Sequence, residues 1–170
     1  MHKFRSVVGL MAICVSSLAA AHAQQQIDSD YAPDINFAQY KTYSWQKISA
    51  PDGAWENAIR STVDAQLSAK GWTRVDNGGD AILCAIANTG EAATLEHFPG
   101  GGAPGWRWRG WTEPVSYDQG TLVIDIFDAK TEALIWRGFA SQAASSKDQK
   151  NIGKLDKAIE KLFKKFPPKQ

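Results

Sequence analysis

Polar and apolar residues alternate across residues 120–140, and this alternation predicts a two-stranded β-hairpin. In the first strand a period of two places Leu122, Ile124 and Ile126 on one face. Because that face is purely aliphatic, we expect it to be buried, and a slip of one residue in the register would expose it. The hairpin is therefore the firmest element of the predicted fold.

The polar stretch 128–132 predicts the loop of the hairpin, and residues 133–139 predict its return strand. Alternation places Leu134 and Trp136 on one face of the return strand. The other face carries Ile135, Arg137 and Phe139.

Weaker patterns predict the other elements of the chain. Strands are expected near residues 27–31, 40–45, 73–75 and 80–88. A first helix is expected where Trp55, Ile59, Val63 and Leu67 recur at helical spacing, and Gly71 follows as its C-terminal stop. A closing helix is expected over 146–166, where Ser146 and Gln149 have the spacing of a capping box.

The order of these elements predicts the α+β class, as a two-layer sandwich of an antiparallel sheet with two helices packed on one face. Short turns between consecutive strands are the reason for expecting an antiparallel sheet. By length, residues 24–170 form a single domain. About 25 residues near 94–117 show no regular pattern, which is long for a loop in a compact domain.

Residues 1–23 have the features of a secretory signal peptide. The apolar run 7–15 follows a basic start and is too short to cross a bilayer, which takes about 20 residues. The sequence Ala21-His22-Ala23 fits the small-x-small cleavage rule, so we expect cleavage before Gln24. The mature chain is then an exported, periplasmic protein with no transmembrane span. Peripheral association with the outer membrane stays open, and an uncleaved anchor is the less favoured alternative.

Charge and cysteine content narrow the classes of function. The full chain has 19 basic and 18 acidic residues, and loss of Lys3 and Arg5 with the signal peptide leaves it close to neutral. A near-neutral chain is a poor candidate for nucleic-acid binding. Cys84 is the one cysteine of the predicted mature chain, so no internal disulfide can form. Its apolar neighbours predict a small buried side chain rather than a reactive thiol.

Four stretches of the chain carry a family resemblance. They are DYAPDINFAQYKTYSW at 30–45, AKGW at 69–72, GTLVIDIFDAKTEALIWRGFA at 120–140, and the closing helix that ends in Phe166-Pro167-Pro168. These stretches resemble the bacterial envelope family called domain of unknown function 4136, many of whose members are lipoproteins. The resemblance implies the α+β fold and an envelope location, and it brings no catalytic residues to this chain.

Two positions depart from that family. Its hairpins often carry glycine where Glu132 stands, so Glu132 is expected either to adopt the left-handed conformation at a cost of about 1 kcal/mol or to lie in a different turn. Family members are often anchored through an N-terminal lipidated cysteine, whereas Cys14 here lies inside the apolar run behind the bulky Ile13. We therefore favour a soluble periplasmic protein without a lipid anchor.

Residues with catalytic potential are few. His97 is the one histidine of the predicted mature chain, which excludes a multi-histidine zinc site, and we expect it in a surface loop rather than in a catalytic triad. Asp125 and Asp128 could pair as catalytic carboxylates, but a solvent-facing role for Asp125 and a turn cap for Asp128 are simpler interpretations. The glycines at 100–105 lack a phosphate-loop pattern. The sequence predicts no catalytic residue, no cofactor and no metal.

The most unusual stretch is WRWRGW at 106–111, inside the long irregular region. Tryptophan and arginine are common binding anchors. We therefore assign a candidate binding site to Trp106, Arg107, Trp108, Arg109 and Trp111. The competing interpretation is that the stretch folds back and its rings cap the open face of the sheet, because a large bare aromatic patch favours aggregation.

The polar side of the closing helix is rich in lysine, at Lys154, Lys157, Lys161, Lys164 and Lys165. A helix on a membrane surface would show such lysines. Acidic residues are interspersed among them, and this mixture favours a solvated face.

The sequence thus favours a non-enzymatic, envelope-associated protein that binds a glycan, a lipid or another envelope protein through an aromatic loop. A hydrolase of envelope material is the second hypothesis. The third is a purely structural envelope protein whose tryptophans all lie in the core. The sequence identifies neither the ligand nor the oligomeric state.

Overall fold

The structure, a computed structural model, describes residues 25–88, 93–94, 116–117, 120–141 and 148–168. The elements of those ranges are, in chain order, β1 (Gln26–Tyr31), β2 (Thr42–Ser49), α1 (Gly53–Ser68), β3 (Thr73–Arg74), β4 (Ala81–Asn88), β5 (Ala93–Thr94), β6 (Ser116–Tyr117), β7 (Thr121–Asp128), β8 (Leu134–Ser141) and α2 (Asp148–Phe163). A short 3-10 helix, Phe37–Gln39, lies between β1 and β2. The predicted cap at Ser146 lies outside the described residues.

Six strands form one mixed sheet in the order β1-β8-β7-β4-β2-β3, and β5 pairs with β6 in a separate ladder. The pairs β1–β8, β8–β7 and β7–β4 are antiparallel, as predicted. β2 runs parallel to both β4 and β3, so the expectation of a wholly antiparallel sheet was wrong for these strands. β2 and β4 are joined through α1, and a crossover of that length lets the second strand run in the direction of the first.

The two helices pack together over one face of the sheet, and this two-layer α+β architecture confirms the predicted fold class. The sheet face beneath them includes Leu122, Ile124 and Ile126, none more than 3% exposed. α2 contributes a buried apolar stripe made of Leu155, Ile159, Leu162 and Phe163. Burial of such side chains, at about 25 cal/mol for each Å² of apolar surface, is the main stabilising contribution to the fold.

Helix α1 begins and ends where its sequence indicates. Asp52 is the N-cap, and its carboxylate accepts hydrogen bonds from the N–H groups of Ala54 (2.8 Å) and Trp55 (3.0 Å). All four residues of the predicted apolar stripe are buried: Trp55, Ile59, Val63 and Leu67. Gly71 has a φ of 82°, which confirms its predicted role as the residue that stops the helix.

Phe166 lies just beyond the end of α2 and is the centre of an aromatic cluster. Its ring centroid lies 5.3–5.5 Å from the centroids of four other rings, those of Phe37, Trp72, Trp136 and Phe163. Edge-to-face contacts of this kind contribute about 0.5–1.5 kcal/mol each beyond the burial of their surface. The cluster therefore joins the 3-10 helix, the segment after α1, strand β8 and helix α2.

A β-bulge in β8 changes the faces that its residues occupy. The register passes from the pair Ile126–Trp136 directly to the pair Phe127–Leu134, so Ile135 is the extra residue. Leu134 packs with Phe127 on the face away from the helices, whereas Ile135 and Trp136 belong to the core beneath them. The prediction that Leu134 and Trp136 share a face was therefore wrong, because a strict period of two fails where one strand has an extra residue.

Glu132 adopts the left-handed conformation, with a φ of 56°, in the loop between β7 and β8. This outcome confirms one of the two expectations for that position. The Glu132 N–H donates to the Asp128 carbonyl at 2.9 Å, and the Asp128 N–H donates to the Ala133 carbonyl at 2.8 Å. The hydrogen bonds of the turn thus hold a non-glycine residue in a conformation that costs about 1 kcal/mol.

Replacing Glu132 with glycine should stabilise the fold by about 1 kcal/mol, because glycine adopts a positive φ without steric cost. Urea denaturation of E132G beside the wild type measures the change in the free energy of unfolding. The matched control is K130G in the same loop, because Lys130 does not have a positive φ and glycine there should be neutral or destabilising. Equal stabilisation in both variants, or a loss of stability in E132G, would contradict this account of the turn.

Candidate functional site

The candidate binding residues belong to a segment that joins the two central strands β4 and β7. We call residues 95–115 the aromatic segment. Its residues Trp106, Arg107, Trp108, Arg109 and Trp111 lie outside the described residues, as does His97. The described residues on either side fix where the segment begins and ends.

The residues on the two sides of the aromatic segment lie next to each other, beyond the end of the β4–β7 pair. The Gly120 N–H donates to the Asn88 carbonyl at 2.8 Å, at the end of the ladder between β4 and β7. Farther along the chain β5 pairs with β6 in antiparallel fashion, with Thr94 opposite Ser116. Thr94 and Ser116 directly flank the segment, so it begins and ends side by side on a paired stem.

Asp125 and Arg137 form a buried ion pair on the sheet face away from the helices. The Nε and Nη2 atoms of Arg137 each lie 2.5 Å from a carboxylate oxygen of Asp125, and the side chains of Asp125 and Arg137 are 4% and 13% exposed. The prediction that Asp125 faces solvent was wrong, because alternation does not distinguish an exposed face from a second buried one. Burial raises the pKa of Asp125, and the Arg137 guanidinium opposes that shift.

Cys84 lies opposite Asp125 in the register of β4 and β7 and is buried. Burial, and to a smaller extent the charge of Asp125, raise the pKa of the Cys84 thiol to about 11. The thiol donates a weak hydrogen bond to Gln46 Oε1, 3.6 Å from Sγ. The burial of Cys84 confirms the prediction of a small buried side chain. A thiol that stays protonated at neutral pH is also a poor nucleophile.

Asp128 caps the hairpin loop, as predicted, and its carboxylate contacts Tyr40 rather than Asp125. The N–H groups of Lys130 (2.9 Å) and Thr131 (2.7 Å) donate to Oδ1, and the Tyr40 hydroxyl donates to Oδ2 at 2.7 Å. Burial alone would raise the pKa of Asp128, but these hydrogen bonds outweigh it and hold the pKa below its ordinary value. Burial and the bond to Asp128 raise the pKa of Tyr40 to about 12. Neither group is therefore suited to proton transfer near neutral pH.

Asp64 in α1 joins that helix to β2 and β3 through side chains that the sequence did not single out. Its Oδ1 atom accepts hydrogen bonds from the Tyr43 hydroxyl (2.7 Å) and Trp45 Nε1 (2.9 Å), and its Oδ2 atom pairs with Arg74 at 2.9 Å. Burial, and to a smaller extent the hydrogen bond to Asp64, raise the pKa of Tyr43. The residues of this cluster come from three elements, so only the fold reveals that they meet.

A cleft with a volume of about 520 Å³ runs between β1 and the C-terminal end of α2, and we call it the β1–α2 cleft. Its walls include Ile27, Ser29, Tyr31, Lys161, Lys164 and Lys165. The sequence indicated a solvated face for these lysines, and no spacing along the chain indicated that three of them would face β1. The buried Trp136 also lines the cleft.

Within the described ranges, no group of three or more His, Cys, Asp or Glu side chains could hold a metal ion. No helix in that part of the chain is both long enough and apolar enough to cross a membrane. Several of its charged side chains have structural partners, as in the Asp125–Arg137 and Asp64–Arg74 ion pairs.

A family model described as domain of unknown function (DUF4136) matches residues 27–168. The chain therefore belongs to the DUF4136 family, which confirms the resemblance carried by its hairpin and closing helix. No curated protein matches the chain. The family description names no activity, so membership establishes what the chain is related to and not what it does.

Solved structures of low sequence identity are similar to this chain. A PDZ domain protein from Parabacteroides distasonis matches with a TM-score of 0.52 and 16% identity over 88% of this chain, which spans only 37% of that protein. The PelC dodecamer from Paraburkholderia phytofirmans matches with a TM-score of 0.50 and 12% identity, covering 86% of this chain and 100% of the PelC chain. A minor lipoprotein from Acinetobacter baumannii matches with a TM-score of 0.36 and 11% identity, covering 74% of this chain and 88% of that one. At such identities the first two likenesses show the fold alone.

Acid should destabilise the fold partly through Asp128. Because its folded-state pKa lies below the ordinary value of 3.8, its stabilising contribution is complete above that value and is lost as the pH falls through the folded-state pKa. D128N should therefore be less stable than the wild type at about pH 7, and the difference should shrink towards about pH 2. Urea denaturation across that range measures the free energy of unfolding.

The control for this experiment is D34N, at an exposed position outside the hairpin loop. D34N should unfold at the same urea concentration as the wild type across that range. A deficit of D128N that stays constant down to acid pH would contradict the role assigned to the ionised Asp128 carboxylate.

Proposed function

We propose that this chain is an exported, non-enzymatic protein of the cell envelope that binds an envelope component or a partner protein through the aromatic segment, residues 95–115. The observation that carries the proposal is the paired stem beneath that segment, where β4 meets β7 and β5 meets β6. A segment that begins and ends side by side can contact a partner without separating the strands that hold it.

The central strands complete their own pairing without the aromatic segment. β4 and β7 pair without a break from Ala81 opposite Asp128 to Asn88 opposite Thr121. Loops held by a rigid framework are where binding residues concentrate, because their sequence can change without loss of the fold. This separation of framework and loop supports a binding role for the segment.

The composition of the segment supports the same role. Tryptophan and arginine are enriched among the residues that dominate binding energy at interfaces. Tryptophan rings also suit the polar boundary of a bilayer. The binding residues under this proposal are Trp106, Arg107, Trp108, Arg109 and Trp111.

Several carboxylates bond to neighbouring elements of the fold, and this supports a binding rather than a catalytic function. Asp64, Asp125 and Asp128 each accept hydrogen bonds or ion pairs from neighbouring strands, helices or loops. A hydrolase that used a carboxylate pair would need groups whose protonation is set for proton transfer to a substrate. The hydrolase hypothesis therefore has less support than a binding function.

A structural role for the tryptophans is the second candidate, and one observation favours it. Val123, Asp125 and Phe127 lie on the sheet face away from the helices, and none is more than 6% exposed. A buried face needs side chains to cover it, and large aromatic rings are suited to that. Quenching of tryptophan fluorescence by acrylamide separates the two candidates. Rings packed on the sheet resist the quencher, whereas rings exposed for binding are quenched.

Co-sedimentation of residues 24–170 with peptidoglycan sacculi, and separately with outer-membrane vesicles, tests the proposal. The wild type should pellet with one of the two fractions. The variant W106A/W108A/W111A should bind at least about tenfold more weakly, because loss of a single anchor ring at an interface commonly costs about 2 kcal/mol. Circular dichroism and urea denaturation of each variant verify that the fold is unchanged.

The matched control is W106F/W108F/W111F, which keeps an aromatic ring at each position and should retain most of the binding. Equal pelleting of the wild type and the alanine variant would contradict the role of the segment. Failure of the wild type to pellet with either fraction would contradict binding to these envelope components. Loss of folding in the alanine variant, together with resistance to acrylamide, would favour the structural role.

A further inference from the structure

The β1–α2 cleft has two chemically different walls. One wall is the helix-facing side of β1, where the partly buried Ile27 and Tyr31 flank the hydroxyl of Ser29. The other wall is the last turn of α2 and the two residues that follow it. It carries three exposed lysines, Lys161, Lys164 and Lys165. A ligand that complements both walls has an apolar face, a polar group that can pair with the Ser29 hydroxyl, and a negative charge.

The lysine wall has no ion-pair partner among the residues that the structure describes. In the described part of the chain, no carboxylate lies within 4 Å of the ammonium groups of these three lysines, and Lys161 donates to the neutral Gln25 Oε1 at 2.6 Å. Asp28 is the one acidic residue of the lining, and its Oδ1 atom already accepts the Ser29 N–H at 2.8 Å. Charge complementarity therefore favours an anionic occupant.

The edge of β1 is closed to an added peptide strand. The Ser29 N–H donates to the Asp28 carboxylate, and the Tyr31 N–H donates to the Asp30 carboxylate at 2.9 Å. An incoming strand would have to displace these bonds and then lie against the two carboxylates, which is a common protection of sheet edges. The occupant of the cleft is therefore not a peptide that extends the sheet.

We propose that the β1–α2 cleft binds an acidic saccharide, a sugar unit that carries a carboxylate. The volume of about 520 Å³ lies within the range of about 300–1,000 Å³ that small-molecule sites occupy. The C–H face of the sugar lies against Tyr31 and Ile27, its hydroxyls meet Ser29, and its carboxylate meets the lysines. A flat bilayer surface does not enter a concave cleft, and a bare phosphate leaves the β1 wall without a partner.

This site is independent of the aromatic segment. The cleft is built from the edge strand β1 and from α2, whereas the segment starts from the central strands β4 and β7. Either site can therefore fail in an experiment while the other succeeds.

Isothermal titration of residues 24–170 with digalacturonate tests the inference, with galactobiose as the matched ligand that lacks carboxylates. Digalacturonate should bind with an affinity that falls as salt is added, and galactobiose should bind much more weakly. K161Q/K164Q/K165Q removes the charge and keeps polar side chains that are shorter by one atom. It should weaken digalacturonate binding about tenfold, the loss expected for three partly screened ion pairs.

The control variant K41Q/K47Q/K130Q removes the same net charge at exposed lysines that do not line the cleft, and it should bind as the wild type does. A second variant, S29W, fills the cleft without changing any charge and should also abolish binding. The inference is overturned if digalacturonate does not bind at millimolar concentration, if both lysine variants lose affinity equally, or if galactobiose binds as well. Binding only of inorganic phosphate, or only of anionic phospholipid vesicles, would overturn it too.

Discussion

Packing around Phe166 is the contact on which the arrangement of the two layers depends. The Phe166 ring meets the rings of Phe37, Trp72 and Trp136, which belong to segments far apart in the sequence. One cluster thus holds the C-terminal end of α2 over β8 and beside β1, and the cleft between α2 and β1 follows from that placement. Trp136 can occupy its position only because Gly138 has no side chain, since a Cβ there would overlap the indole ring.

The opposite face of the sheet carries a different kind of contact, the buried ion pair of Asp125 and Arg137. Such a pair adds little net stability compared with an apolar pair, while loss of one partner costs about 3–5 kcal/mol. Asp125 and Arg137 are directly opposite in the β7–β8 register, so a slip of one residue would leave both charges buried and unpaired. We interpret the pair as a constraint on register. Asp125 is thus engaged in holding the framework together, which agrees with the proposal that binding takes place at the periphery of the sheet.

The parts of the fold that the sequence predicted are those set by local chemistry. The stripe of α1, the stop at Gly71 and the left-handed Glu132 each depend on a few neighbouring residues. The parts that it missed depend on contacts between distant segments. An extra residue at Ile135 interrupts the alternation, and no local pattern shows that a second sheet face buries Asp125. The β1–α2 cleft joins residues near 30 to residues near 165, so only the assembled fold brings them together.

The central claim is that one rigid framework carries two separate binding surfaces, the aromatic segment and the β1–α2 cleft. The most direct test is a two-dimensional NMR titration of the isotopically labelled chain 24–170, first with a solubilised form of the envelope fraction that pellets the chain and then with digalacturonate. The account predicts that the first ligand shifts signals of residues 95–115 and the second shifts those near Tyr31 and Lys164. The indole signal of Trp72, which is buried and does not line the cleft, should not move. Shifts spread through the core, or the same residues responding to both ligands, would contradict it.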